Sequence, residues 1–170
     1  MSSGSIFLLA ALAVIIICVA VSAASKRPDT AWSYYHFDGH GFVAGPPADS
    51  SPFLAVRDRA KPVVMARMAR IETVPMPPDT GVLAGICYIR SSGGKLSGSN
   101  GYAPSPGLPL TISSGNRVVT NVVSDEHGYF VALLPAGSYR IASGAFTAEA
   151  TVEVGKTTLA ALRTGKRMVD

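Results

Sequence analysis

Apolar and polar residues follow three different patterns along this 170-residue chain. Residues 6–24, IFLLAALAVIIICVAVSAA, form one uncharged run that begins at Ile6 and ends at Ala24. As a helix rising about 1.5 Å per residue it would reach about 28 Å, close to the thickness of a bilayer core. Residues 25–80 carry short apolar pieces broken by Pro and Gly. From residue 81 onward, short apolar runs alternate with turn residues at roughly 8–12-residue intervals, the pattern of a β-sandwich. Strands are predicted at 82–90, 108–113, 117–124, 128–134, 138–143, 146–154 and 157–163. The fold class is therefore all-β. It is a seven-stranded Greek-key sandwich over 81–170, preceded by one apolar N-terminal helix (1–24) and a juxtamembrane stretch with short β-hairpins (25–80).

The end of the apolar run fits two readings. Val21-Ser22-Ala23, or Ser22-Ala23-Ala24, has the small-x-small form of a signal-peptidase site. The length alone suits a retained single-pass anchor. Residues 2–5 carry no Lys or Arg, whereas Lys26 and Arg27 follow the run. Taken literally, that asymmetry places the rest of the chain in the cytoplasm. The cleavage-like motif and the β domain favour export. Either reading brings the chain to a membrane, through 6–24 if the run stays uncleaved. Lipidation at Cys18 does not fit, because Ile17 precedes it and it lies deep in the run.

In the juxtamembrane stretch, Asp38-Gly39 between aromatic and β-branched residues predicts a hairpin turn. A second pair of short strands is expected at 53–56 and 62–68, joined through Arg57-Asp58-Arg59, and 75–80 reads as a proline-rich linker. His36, Asp38 and His40 invite a metal reading, but Asp-Gly disfavours the helix that would align the two His, and a turn breaks a shared strand face. The expectation is a hairpin with exposed His, and no metal or other cofactor.

Charge changes the picture little. Fifteen Lys and Arg against 11 Asp and Glu give a net +4. The basic residues are scattered, so no nucleic-acid face is expected. Arg57, Arg59, Lys61, Arg67 and Arg70 make the N-terminal stretch mildly basic, as a charged strand edge or a headgroup contact would be. Of the two cysteines, Cys87 falls in a predicted strand and reads as a small buried side chain.

The last ninety residues carry a family pattern. Gly85-Ile86-Cys87, the run Pro106 to Ile112, Asp125-x-x-Gly128-x-Phe130 and Leu134-Pro135-x-Gly137-x-Tyr139 occur in this order. Together they resemble carboxypeptidase regulatory-like domains over 81–163. The resemblance implies a transthyretin-like or starch-binding-like sandwich acting as an accessory module outside the cytoplasm. The motif residues make sense physically as fold-makers. Asp125 can bond amides in its own turn, Gly128 can supply a positive φ, and Phe130 can enter the core. Pro135 and Gly137 can make a tight return, and Tyr139 can bury its ring while bonding its hydroxyl. A related sandwich family forms Lys–Asn isopeptide bonds, but 82–90 holds no Lys and 157–163 no Asn.

No Gly-x-Ser-x-Gly and no phosphate loop occurs. The carboxylates Asp125 and Glu126 fall in a turn, and Glu149 and Glu153 on one strand face. The chain reads as non-enzymatic, without catalytic residues. It is expected to be an envelope or periplasmic module, anchored or secreted, that docks another envelope protein through strand edges or the 91–107 loop. The alternative is carbohydrate binding through exposed aromatics. Tyr88, Tyr102 and Tyr129 are the candidates, and Tyr102 leads because it lies in the long loop. No Asn-x-Ser/Thr acceptor is present, in keeping with a prokaryotic envelope.

Overall fold

A computed structural model describes residues 31–47, 51–92 and 101–168. The apolar run at 6–24, with its signal and anchor readings, lies outside them, as does 93–100. Among the described residues no helix is long and apolar enough to cross a membrane. Every regular element described is a strand: β1 Ser33–Phe37, β2 Phe42–Ala44, β3 Phe53–Val56, β4 Val63–Met65, β5 Thr80–Ser92, β6 Tyr102–Pro104, β7 Pro109–Ser114, β8 Arg117–Val123, β9 Tyr129–Pro135, β10 Gly137–Ser143, β11 Phe146–Val152 and β12 Thr157–Met168.

These strands build three layers. The outer sheet has the order β11-β10-β7-β8. The central sheet is organised around β5. Strand β12 runs parallel to it along one edge, while β9 and β6 share the other edge, both antiparallel. The third sheet, β2-β1-β3-β4, comes entirely from the N-terminal stretch. Leu83 and Cys87 of β5, Phe130 and Leu134 of β9, and Ala160 and Leu162 of β12 pack against Leu110, Ile112 and Ile141 of the outer sheet. On the opposite face, Val82, Ala84, Ile86 and Tyr88 meet Phe37, Leu54 and Val56 of the N-terminal sheet.

Period-two geometry explains why β5 occupies the middle. Its successive side chains point to opposite faces, and every residue from 81 to 88 is buried. A strand covered on both faces has no need of polar alternation, and VLAGICY shows none. The short hairpins expected in the N-terminal stretch join into one sheet, β2-β1-β3-β4, which covers the second face of the sandwich and gives it a third layer. Segment 66–74 then folds back over that sheet, where Ile71, Trp32 and Tyr34 cover Phe53 and Ala55. Within the 62–68 strand expectation only Val63–Met65 is extended and paired.

Among the described residues of 81–170 the strand count is also corrected, from seven to eight. The additional strand, β6, falls inside the loop 91–107, where no strand character was expected. Its cause is tertiary. β9 pairs with β5 only as far as Ile86, so the free edge of Tyr88–Arg90 is available to Tyr102–Pro104. β5 and β12 both run longer than expected because they pair with each other from Val82↔Thr157 to Ser92↔Met168, across one irregularity between Arg163 and Gly165.

Cys87 is a free thiol with no exposed surface. Desolvation by burial pushes it up to about 12. Because the folded value is raised, the unfolded chain ionises first. The contribution is fully present below the unfolded value of 9.0 and is lost as pH rises toward 12. A maleimide reagent at neutral pH should leave native Cys87 unmodified and label it quantitatively in urea, as intact mass would record. Rapid labelling of the folded chain would show that β5 opens locally.

Candidate functional site

The motif residues of the sandwich occupy turns and core positions. Asp125 Oδ1 accepts the backbone N–H of His127 at 2.9 Å and of Tyr129 at 2.8 Å. Gly128 has φ 78°, and its carbonyl accepts the Cys87 N–H at 2.8 Å. A Cβ at this position would lie 2.8 Å from the Cys87 carbonyl, so both backbone conformation and space require glycine. Phe130 is buried in the core. Pro135 and Gly137 bracket the return from β9 to β10. The buried ring of Tyr139 donates its hydroxyl to the Pro135 carbonyl at 2.8 Å. These groups are committed to the fold.

The three candidate tyrosines converge on one place, the seam between the N-terminal and central sheets. Tyr102 is half-buried, edge-on to Phe37 at 4.9 Å, and donates its hydroxyl to the Phe37 carbonyl at 3.1 Å. Tyr88 packs against the same Phe37 at 4.7 Å. Tyr129 lies against Phe42 and donates to the Pro52 carbonyl at 3.1 Å. Desolvation pushes the Tyr102 and Tyr129 hydroxyls up from their usual range, more strongly for Tyr129. A sugar platform needs an open ring face, and these rings pack tilted or edge to face against neighbouring rings inside a layer contact. Tyr102 is thus a seam residue rather than a free loop aromatic.

The His36–Asp38–His40 segment is likewise structural. Asp38 Oδ1 accepts the His40 and Gly41 N–H groups at 2.7 and 2.8 Å, closing the four-residue hairpin loop between Phe37 and Phe42. Those bonds, Gly41 foremost, hold the exposed carboxyl below its usual range. His36 Nε2 lies 2.7 Å from the Pro46 carbonyl.

A different site arises where the β3–β4 connection meets the β11–β12 turn. A cleft of about 500 Å³ opens there, with Arg57, Asp58 and Arg59 on one wall, Val154, Gly155 and Lys156 on the other, and Thr73 and Pro75 between. Arg59 is one of two non-glycine residues with positive φ among the described residues, at 58°. That conformation costs an ordinary side chain about 1 kcal/mol or more, so something must hold it. Two backbone bonds do: Arg59 N–H donates to the Gly155 carbonyl at 2.7 Å, and the Arg59 carbonyl accepts Met76 N–H at 2.9 Å. Gly155 completes the fit, since a Cβ there would come within 3.2 Å of Arg59 Cγ. Arg57 donates to the Thr73 hydroxyl at 3.2 Å. Lys156 pairs with Glu153, and this contact raises its affinity for the proton. Among the described ion pairs neither Arg57 nor Arg59 takes part.

Comparison with known proteins adds little to this geometry. No protein-family model matches the chain. No curated protein matches it either. Among solved structures, GBS52, a minor pilin of Streptococcus agalactiae, is similar at 11% identity and a TM-score of 0.39, over 76% of this chain and 66% of the pilin's own length. A likeness this distant carries no inference about ligand or task.

The cleft is therefore read from its own residues. The sequence marks Arg57-Asp58-Arg59 as a strand connection and leaves Gly155-Lys156 between the strands predicted at 146–154 and 157–163, with no reason to join the two. They lie about a hundred positions apart. The one local hint was an Arg-Asp-Arg run in a turn beside an apolar strand, a common surface pattern.

Proposed function

We propose that this chain is a non-enzymatic β module of a bacterial cell envelope, brought to the membrane by residues 6–24, whose carboxypeptidase regulatory-like sandwich docks an extended segment of another envelope protein. The open edge of β8 carries this reading. β8 ends the outer sheet, among the described residues it pairs only with β7, and Val118 and Val123 on it are 55% and 64% exposed. An unpaired strand edge offers a row of N–H and C=O groups to an incoming strand, and outward valines offer a grip for its side chains. The register irregularity between Ile112 and Ser113 twists this edge and discourages indiscriminate pairing. The tyrosines on which a glycan reading rested are occupied in the seam, which favours the protein-docking reading.

The test joins address to edge. Intact mass of the native protein in membrane and soluble fractions gives the mature N-terminus. A photoreactive residue at Asn121 then reports neighbours of β8 in native envelopes. One discrete crosslinked partner, lost when Val118→Lys and Val123→Lys charge the edge, is the expected result. Crosslinks unchanged by those substitutions would remove β8 as the docking edge, and a cytoplasmic full-length protein would remove the envelope assignment.

A further inference from the structure

We infer that the cleft between the Arg57–Arg59 turn and the β11–β12 turn is a binding site for a phosphate-type oxyanion. Three features of that cleft point to it. Its walls come from two layers, so its shape is set by the tertiary fold and not by one flexible loop. Arg59 is held in the left-handed region by two backbone bonds, and its stem lies over Gly155, where a Cβ would come within 3.2 Å of Arg59 Cγ. The guanidinium of Arg57 is oriented by Thr73, which uses one N–H and leaves the others of its planar fork for a ligand. A guanidinium fork matches two oxygens of a phosphate, while an ammonium such as Lys156 contributes a point charge.

The opposing charges set how tightly such a group is held. Asp58 lines the same cleft, and the lining Lys156 is already paired with Glu153. Three cations against two carboxylates leave one net positive charge, and the whole site is open to water. Binding of free phosphate is accordingly weak, and affinity grows when the phosphate is carried on a larger molecule that also fills the cleft. The volume of about 500 Å³ exceeds what a bare oxyanion occupies and suits a small polar group attached to it. Removing a carboxylate should tighten the site, which a merely structural cluster would not do.

This inference stands apart from β8 and from the envelope address, and its test separates them. The full chain in mild detergent is titrated with inorganic phosphate, with sodium chloride at matched ionic strength as the reference. Phosphate should raise the melting temperature by about 2–4 °C beyond chloride as the site fills. It should also shift the backbone amide resonances of Arg59, Gly155 and Lys156. Arg57→Ala combined with Arg59→Asn should abolish both responses, and Asn is chosen because it tolerates positive φ. Arg117→Ala, on β8, should leave them intact. Asp58→Asn should strengthen binding by about threefold or more, a change of roughly 0.7 kcal/mol. Vesicles of phosphatidylglycerol and of phosphatidylcholine then distinguish sources. Stronger capture by phosphatidylglycerol that depends on Arg57 and Arg59 identifies a lipid phosphodiester, and a response confined to free phosphate identifies a soluble ligand. Equal effects of phosphate and chloride, or responses that survive the double substitution, would overturn the proposal. If the double variant melts well below the parent without ligand, the amide shifts of Arg59→Asn alone decide between the two outcomes.

Discussion

Replacing Gly85 by alanine should cost more than about 4 kcal/mol, enough to prevent the chain from folding at ordinary temperatures. Gly85 lies in the middle of β5 on the face that carries Leu83 and Cys87. A Cβ there would stand 2.0 Å from the Ala160 carbonyl oxygen and 2.7 Å from Phe130 Cζ. The first neighbour is backbone of β12, which pairs with β5 along its whole length and cannot step aside without losing that ladder. The second is a ring with almost no exposed surface. Overpacking of a flexible site costs about 1–3 kcal/mol, and here neither neighbour can relax. The control is Gly165→Ala. Its Cβ would meet only Ile89, at 3.9 Å, and the change should alter stability by less than about 1 kcal/mol. Urea denaturation of both variants measures the contrast. Equal, small effects would mean that β12 does not lie where the structure puts it.

Phe37→Ala should destabilise by about 3–5 kcal/mol, the range for a buried aromatic removed from a packed site. Phe37 is the hub of the seam, touching Phe42, Tyr88 and Tyr102. Its loss leaves a cavity between two sheets and removes three ring contacts, each of about 0.5–1.5 kcal/mol beyond area burial. The consequence is more than a stability number. Trp32, the only tryptophan, sits against the N-terminal sheet and reports on that layer alone. Far-ultraviolet circular dichroism reports on all strands. In the parent the two urea transitions should coincide, because all three layers share the central sheet. In Phe37→Ala the Trp32 transition should move to lower urea than the rest. Coincident transitions in the variant would mean that the layers are bound by more than this seam. Separate transitions in the parent would return the N-terminal stretch to the status of an appendage.

Local chemistry was enough to read the turns. Asp-x-x-Gly at 125–128 states its own geometry, because a carboxylate can bond amides two and four residues ahead and a glycine can take φ 78° at no steric cost. Asp38-Gly39 likewise marked the first hairpin loop. All-β class, most strand positions in the C-terminal half and the buried state of Cys87 follow from patterns no longer than a dozen residues. The third layer does not, although its trace is visible in retrospect. VLAGICY is apolar without alternation, which a strand needs only when both its faces are covered. That pattern says a cover exists, but it cannot say that Phe37, Leu54 and Val56 supply it. β6 and the cleft lie further out of reach. Tyr102–Pro104 is a strand because β9 leaves the end of β5 open, and Arg59 meets Gly155 because two sheets pack at a particular offset. A sequence read locally specifies what each segment prefers to be. Which segments meet, and so which charges come to share a cleft, is decided by long-range packing free energy that no single window contains.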